Sequence, residues 1–375
     1  MIWIAVGVLV MFMLFTFWVM HSWFSMGIVG LGDINSGANE IFISVLIPVR
    51  NEELNIEATL DSILKNKIDH VTYEVIVIDD HSEDSTCDLV ESIVKQHSHV
   101  KLIHLGDDFS GKKNTVELGV AVAQGEIILC TDGDCRVPEA WLQCYLEAYS
   151  RDSNSKLVFG GVRYETNGKY LVQLLNVELS ILVIIGAASM NRGIPTMING
   201  ANFSYKKETF LAVNGYKGNE NIPSGDDEFL LRKTQKQFSS GIGFLKNPKS
   251  VVETASPDSF LELIGQRRRW AAKWKHHQDT YSKFIPALIF LINASAIWAI
   301  FQLFTTSYAY EWFTFLVFKG AMDFVFMRNA TKFMGVKGSI LSFVLLEIIY
   351  PFYVVFFAIA SNFGRYSWKG RVYDN

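Results

Sequence analysis

The stretch EIILCTDGDCR, residues 126–136, decides the fold. A short apolar run that stops at two carboxylates reads as a buried strand ending at a sheet edge, and such runs are the habit of parallel sheets. Working outward, Ile43 to Pro48, Tyr73 to Asp79 and Val100 to Leu105 join Glu126 to Thr131 as predicted strands. Helical stretches follow the first three, at Glu52 to Lys65, Ser85 to Gln96 and Lys113 to Gln124. Alternating strands and helices predict βα units and an α/β fold. In open sheets of this kind ligands sit at the carboxyl ends of the strands. The polar residues fall there: Arg50-Asn51-Glu52, Asp79-Asp80, Lys112 and Asp132-Gly133-Asp134.

The 375 residues are enough for one catalytic unit with appendages. Half of them are hydrophobic, 14% are aromatic and only 19% charged, too apolar for an ordinary soluble enzyme, so part of the chain is expected in lipid. The net charge of -4 provides no broad basic field, which argues against nucleic acid as the main partner. The four cysteines, Cys87, Cys130, Cys135 and Cys144, show neither CxxC pairing nor a companion histidine pattern, so they read as free thiols in a reducing cytosol.

Residues 2–20 carry no charge and are long enough to cross a hydrocarbon core, with Trp18 and Trp23 where an interfacial anchor belongs. Residues 284–304 and 339–361 read as further spans, the second interrupted by Glu347 and Pro351. Residues 308–327 are apolar but hold Glu311, Lys319 and Asp323, which either line a polar interior or place the segment at the surface. Leu171 to Met190, with its lone Glu178, is left open between a buried core helix and an interfacial one. Arg267, Arg268, Arg269, Lys273, Lys275 and Lys283 precede the span at 284, so the positive-inside rule places the central domain in the cytosol of an integral membrane protein. Three full C-terminal spans would put Arg365, Lys369 and Arg371 outside, unless Pro351 turns the last segment back as a hairpin. The expected organisation is an anchor at 1–30, a catalytic domain at 40–265, an interfacial basic helix at 266–283 and membrane helices at 284–375.

Asp132 and Asp134 supply carboxylate oxygens of the kind a hard cation needs, yet a DGD triplet after a strand is also ordinary turn chemistry. Asp226-Asp227-Glu228 before FLLRK, with Ser224 ahead of them, suits an acidic helix start as well as a catalytic base. What lifts these readings is their company. ISVLIPVRNEE (43–53), VIDDHSEDST (77–86), GKKNTVELG (111–119), CTDGDCR (130–136), GDDEFLL (225–231) and QRRRW (266–270) occur in this order. Together they resemble the family 2 glycosyltransferases of the GT-A fold, a Rossmann-like nucleotide-diphospho-sugar transferase architecture. The nearer likeness is to the membrane-bound branch holding ceramide glucosyltransferases and the cellulose, chitin and hyaluronan synthases.

The resemblance implies that Pro48, Asn51 and Glu52 contact the nucleotide, that Asp80 accepts hydrogen bonds from the base, and that Lys112 approaches the donor phosphates. It implies that Asp132 and Asp134 serve a divalent metal, Mg2+ or Mn2+, with Asp134 on the cation and Asp132 acting partly through ribose or water. Asp227, beside Asp226, would be the catalytic base. Gln266, Arg269 and Trp270 match a QxxRW motif, with Arg269 toward the departing diphosphate and Trp270 offering a flat face to the acceptor. Arg267, Arg268, Lys273 and Trp274 are expected to anchor at the interface. Asn199-Gly200-Ala201-Asn202 resembles a segment lining the acceptor side. His81, His97, His99, His104, His276 and His277 show no metal-ligand pattern.

These readings converge on an inverting transferase that carries a sugar from a nucleotide-sugar, a UDP-sugar by preference, to a lipid acceptor. The expected location is the inner (cell) membrane of a bacterium. A processive polysaccharide synthase and a catalytically inactive membrane scaffold are the alternatives.

Overall fold

The computed structural model describes residues 2–29, 41–66, 72–166, 168–194, 196–219, 225–238, 240–272, 280–360, 365–368 and 371–374. Lys273, Trp274, Lys275, His276, His277, Ser224 and Lys369 lie outside the described residues. In chain order the elements begin with α1 (Ile2–Ser25), β1 (Phe42–Val49), α2 (Ile56–Leu64), β2 (Thr72–Asp79), α3 (Thr86–Val94), β3 (Val100–His104), α4 (Lys112–Val122) and β4 (Ile127–Cys130). Next come β5 (Cys135–Arg136), α5 (Trp141–Arg151), β6 (Leu157–Phe159), β7 (Val162–Tyr164), α6 (Tyr170–Asn191), β8 (Phe203–Lys206), α7 (Lys207–Ala212) and α8 (Asp226–Gln237). The last are β9 (Ile242–Phe244), β10 (Val252–Thr254), α9 (Phe260–Ala272), α10 (Thr280–Gln302), α11 (Ala309–Met334), α12 (Ile340–Ala360), β11 (Arg365–Trp368) and β12 (Arg371–Asp374).

The chain forms two compact units: residues 26–165 with 189–256, and residues 1–25, 166–188 and 257–375. The first is built on a seven-stranded sheet in the order β3-β2-β1-β4-β8-β6-β9. β3, β2, β1 and β4 run parallel, as the sequence predicts, and β8 enters antiparallel to both β4 and β6. β1 is buried through its middle because both flanks carry strands, which its Val, Leu and Ile content suits. Its pairing with β4 ends at Leu46 opposite Cys130, whereas its pairing with β2 continues to Val49 opposite Asp79. Pro48, which has no N–H to donate, falls in that last stretch, where β1 has only β2 beside it.

One polar residue organises the core below the site. Asn202 is fully buried; its Oδ1 accepts from Trp141 Nε1 and Tyr145 Oη, each at 2.8 Å, and its Nδ2 donates to the carbonyls of Gly161 (2.8 Å) and Ser250 (2.9 Å). All four bonds replace water that two large aromatic side chains exclude. The sequence reading that sets Asn202 on the acceptor side is therefore corrected: its amide is consumed within the core. At the sheet's opposite end, Glu74 accepts from Ser44 Oγ (2.7 Å), Gln124 N (2.6 Å) and Lys101 Nζ (2.7 Å).

The second unit is helical. Among the described residues four helices are long and apolar enough to cross a membrane: α1, α6, the Lys283–Gln302 part of α10, and α12. These mark a membrane protein. α6, which holds Leu171 to Met190, groups with this unit through residues 166–188 and is long and apolar enough to span. Ala5, Val8, Leu9 and Phe12 of α1 pack with Ile292, Ala296 and Ala299 of α10 and with Trp312 and Phe315 of α11. α12 continues through Pro351 as one helix, so the hairpin at that proline does not form. Lys319 of α11 meets Asp323 at 2.6 Å and Glu347 of α12 at 2.9 Å. Arg267 is likewise no surface anchor: it is buried and bonded to Glu178.

Candidate active site

The parallel strands deliver their C-terminal loops to one edge of the sheet. Leaving β1, Asn51 adopts φ 51°, a left-handed conformation that asparagine tolerates better than most residues. Its Oδ1 accepts from Glu83 N at 2.8 Å, and its own N–H donates to Ser82 Oγ at 3.0 Å. Glu52 is buried; its N–H donates to Thr86 Oγ1 at 2.7 Å and its Oε2 accepts from Asn55 Nδ2 at 3.2 Å. Arg50 donates to the carbonyls of Asp80 (2.7 Å) and His81 (2.6 Å), the latter also in a left-handed conformation at φ 58°. Two such residues in facing loops are strain of the kind that clusters at functional sites. These bonds staple the loop after β1 to the loop after β2.

Asp79 and Asp80 divide their work. Asp79 accepts from Ser82 N at 3.1 Å, which is turn chemistry, and lies 3.4 Å from His104 Nδ1. Asp80 Oδ2 accepts from Gly111 N at 3.0 Å and so holds the start of α4. At the start of α3 the turn is held by Asp84, which accepts from Thr86 N at 3.0 Å.

α4 begins with Lys112, whose side chain is 17% exposed. Its Nζ donates to Asp132 Oδ1 at 2.6 Å and lies 3.5 Å from Asp226 Oδ2. Burial alone would lower the pKa of this ammonium, but Asp132, Asp226 and Asp227 outweigh it and push it above the ordinary lysine value. Lys112 is thus a fixed positive charge. Its neighbour Lys113 turns elsewhere, to the carbonyl of Asn219 and over the Phe229 ring at 4.8 Å.

Two glycines allow close approach at this edge. A Cβ on Gly200 would stand 3.2 Å from Lys112 Nζ and 3.3 Å from Asp227 Oδ2. A Cβ on Gly133 would stand 2.9 Å from Val49 Cγ1 and 3.0 Å from Glu52 Cγ. Gly133 therefore lets Asp132 and Asp134 lie against the β1 loop, where Thr59 Oγ1 donates to its carbonyl at 2.7 Å. Asp134 is half-buried beside Cys135, whose thiol is pushed well above its usual range by burial and by Asp134 and Asp132.

Asp226 and Asp227 open α8 and are both buried. The residue capping that helix is Gly225 at φ 85°, and no side chain caps it. Six residues from four separate segments, Lys112, Asp132, Gly200, Asp226, Asp227 and Gly133, thus gather at one edge, with Asp80 tied to the same α4 start. For Arg50 and Gly200, both named from sequence, the structure adds the contacts. The run VRNEE gives Arg50 a place at a strand end, but its carbonyl partners depend on how two loops face each other.

Gln266, Arg269 and Trp270 belong to the helical unit, on α9, where each is half-buried and Trp270 lies under the Arg267 guanidinium at 4.3 Å.

Residues 44–210 match the family described as Glycosyl transferase family 2. The match covers the loops carrying Asp80, Lys112, Asp132 and Asp134 and ends before Asp226. Relatives include the probable glycosyltransferase YdaM of Bacillus subtilis, 26% identical over 276 residues, covering 72% of this chain and 63% of the relative. The poly-beta-1,6-N-acetyl-D-glucosamine synthase of Staphylococcus aureus is 25% identical over 230 residues, covering 61% of this chain and 53% of the relative. The chain spans less than two thirds of the length of these curated relatives. Among solved structures, the mannosyltransferase PcManGT from Pyrobaculum calidifontis, in complex with GDP-Man and Mn2+, is 17% identical with a TM-score of 0.55 and 96% coverage of both chains. That likeness is one of fold. Residues 44–210 are therefore similar to the family 2 glycosyltransferases, on an α/β fold shared with PcManGT.

Proposed function

We propose that the protein is an inverting glycosyltransferase that moves one sugar from a nucleotide-sugar, a UDP-sugar by preference, to a membrane lipid acceptor. The observation that carries this reading is the gathering of Lys112, Asp132, Asp226 and Asp227 around Gly200, one ammonium among three carboxylates. Asp227 takes the proton of the acceptor hydroxyl as its oxygen attacks the anomeric carbon from the face opposite the leaving diphosphate. Lys112 offsets charge that develops on that diphosphate. Asp80 accepts from the base N–H groups, and Pro48, Asn51 and Glu52 shape the loop against which the nucleotide lies. Arg269 stabilises charge developing on the departing diphosphate, Trp270 offers a flat face to the acceptor, and Gln266 belongs with them through the QxxRW motif.

The donor set fits a divalent metal. Asp132 and Asp134 are hard oxygen ligands on a turn that Gly133 presses against Glu52, and Mg2+ or Mn2+ needs only one or two carboxylates besides phosphate and water. Asp134 would hold the ion, since Asp132 is engaged by Lys112. Such an ion neutralises diphosphate charge when bound.

The four apolar helices support a membrane-borne acceptor, and the basic residues before the span at 284 support a cytosolic face for the domain, in a bacterial inner membrane. The staphylococcal relative, by its name a polysaccharide synthase, favours a processive second reading. Membranes holding the protein, supplied with labelled UDP- and GDP-sugars and Mn2+ or Mg2+, separate the two by mass spectrometry of lipid-extracted product. A single-sugar lipid abolished by chelator is expected. A glycan that lengthens with time would establish the synthase, and no transfer or nucleotide binding from any donor would establish an inactive scaffold.

A further inference from the structure

Three arginines stand in a row in QRRRW, and at about 100° per residue they leave α9 in three directions. Arg267 is the buried one, with 7% of its side chain exposed. Its Nη2 donates to Glu178 Oε2 of α6 at 2.5 Å, and its Nε donates to the Tyr353 hydroxyl of α12, also at 2.5 Å. The Tyr353 hydroxyl lies 3.5 Å from the same Glu178 oxygen, so anion, phenol and guanidinium form a closed triangle. The guanidinium carbon stands 4.3 Å from the centre of the Trp270 ring, three residues along the same helix.

Charges enclosed among apolar helices are costly unless satisfied, so this triangle admits few settings of α9. Rotating α9 by one residue would withdraw Arg267 from Glu178, which is 89 residues away in sequence, and from Tyr353, which is 86 away. We propose that Arg267 is a positioning residue of the transfer reaction: Glu178 and Tyr353 fix the rotation of α9 through it, and its stack on Trp270 fixes that indole. This rests on the reading that Arg269 and Trp270 serve the transfer. Arginine suits the task because its planar fork binds and stacks at once, which lysine does not do.

The test uses the full chain in lipid nanodiscs and measures nucleoside diphosphate affinity, acceptor KM and kcat for Tyr353→Phe, Glu178→Gln, Arg267→Lys, the double Arg267→Lys/Glu178→Gln and Trp270→Ala. Tyr353→Phe removes one oxygen and keeps the ring, so it guards against simple misfolding. Expected are unchanged nucleotide affinity and a fall in kcat of about tenfold for Tyr353→Phe and about a hundredfold for Glu178→Gln and Arg267→Lys, the scale of a small misplacement of reacting groups. The double variant should be no worse than Arg267→Lys alone, as members of one unit behave. Loss of transfer in Trp270→Ala with wild-type kcat in the other variants would overturn the positioning role. Wild-type transfer in Trp270→Ala would instead overturn the reading of α9 on which it rests. Nucleotide affinity falling in step with kcat would reduce the triangle to a folding element.

Discussion

In the sheet unit Lys112 shares its ammonium between Asp132 and Asp226 with Asp227 close by, and Asp132 remains 36% exposed. In the helical unit Arg267 and Glu178 close on each other one to one, at 7% and 10% exposure, and Lys319 is enclosed by Asp323 and Glu347. The first arrangement keeps a surplus of negative charge at a surface that a cation or a hydroxyl can reach. The second encloses its cations, Arg267 against Glu178 and Lys319 between two carboxylates, and uses those contacts to fix helices. The same residue types therefore do different work according to how much solvent the fold leaves them.

Three substitutions sharpen that contrast. Lys319→Met should have the largest effect on stability, about 3 to 5 kcal/mol within the helical unit, because it leaves two enclosed carboxylates facing one another. Thermal unfolding in detergent reads that loss, and nucleotide affinity should stay as in the wild type. Lys112→Met should invert the pattern: a fall in kcat of about 10² to 10³, the scale for losing one charge-stabilising group, with a smaller change in melting temperature. A melting loss as large as that of Lys319→Met would erase the distinction between the two sites.

The smallest effect concerns Glu74, below the sheet and away from the carboxylate edge. Burial would raise its pKa, but Lys101, the Gln124 N–H and the Ser44 hydroxyl outweigh this and hold it below 4.5. A carboxyl with a lowered folded pKa contributes stability that is fully present above its unfolded value and is lost as pH falls through the folded one. Glu74→Gln should therefore cost about 1 to 3 kcal/mol at neutral pH and flatten the acid side of the stability profile. Unfolding followed between neutral pH and about pH 3 measures both.

The parallel half of the sheet was legible because each strand is a dense apolar run followed by a helix-forming stretch. Ile43 to Pro48 extends by only one residue at each end, to Phe42–Val49. β6, β7, β9 and β10 were not legible, since three-residue strands carry no period and owe their existence to neighbours. The insertion of β8 between β4 and β6 is likewise a tertiary choice. Within the site, Asp80, Lys112 and Asp132 could be placed because strand ends are fixed by the pattern of strands. Asn202 and Arg267 could not. An asparagine reads alike whether it meets a ligand or two buried aromatics, and an arginine beside a membrane span reads as an anchor until its partners, almost ninety residues distant, are known.

The central claim is that the carboxylate edge performs glycosyl transfer with Asp227 as base. The direct measurement compares wild type with Asp227→Asn for nucleotide-sugar binding and for transfer to extracted lipid in the presence of Mn2+. The account predicts unchanged donor binding and a fall in transfer of about 10² to 10⁴. Full turnover by Asp227→Asn would contradict it.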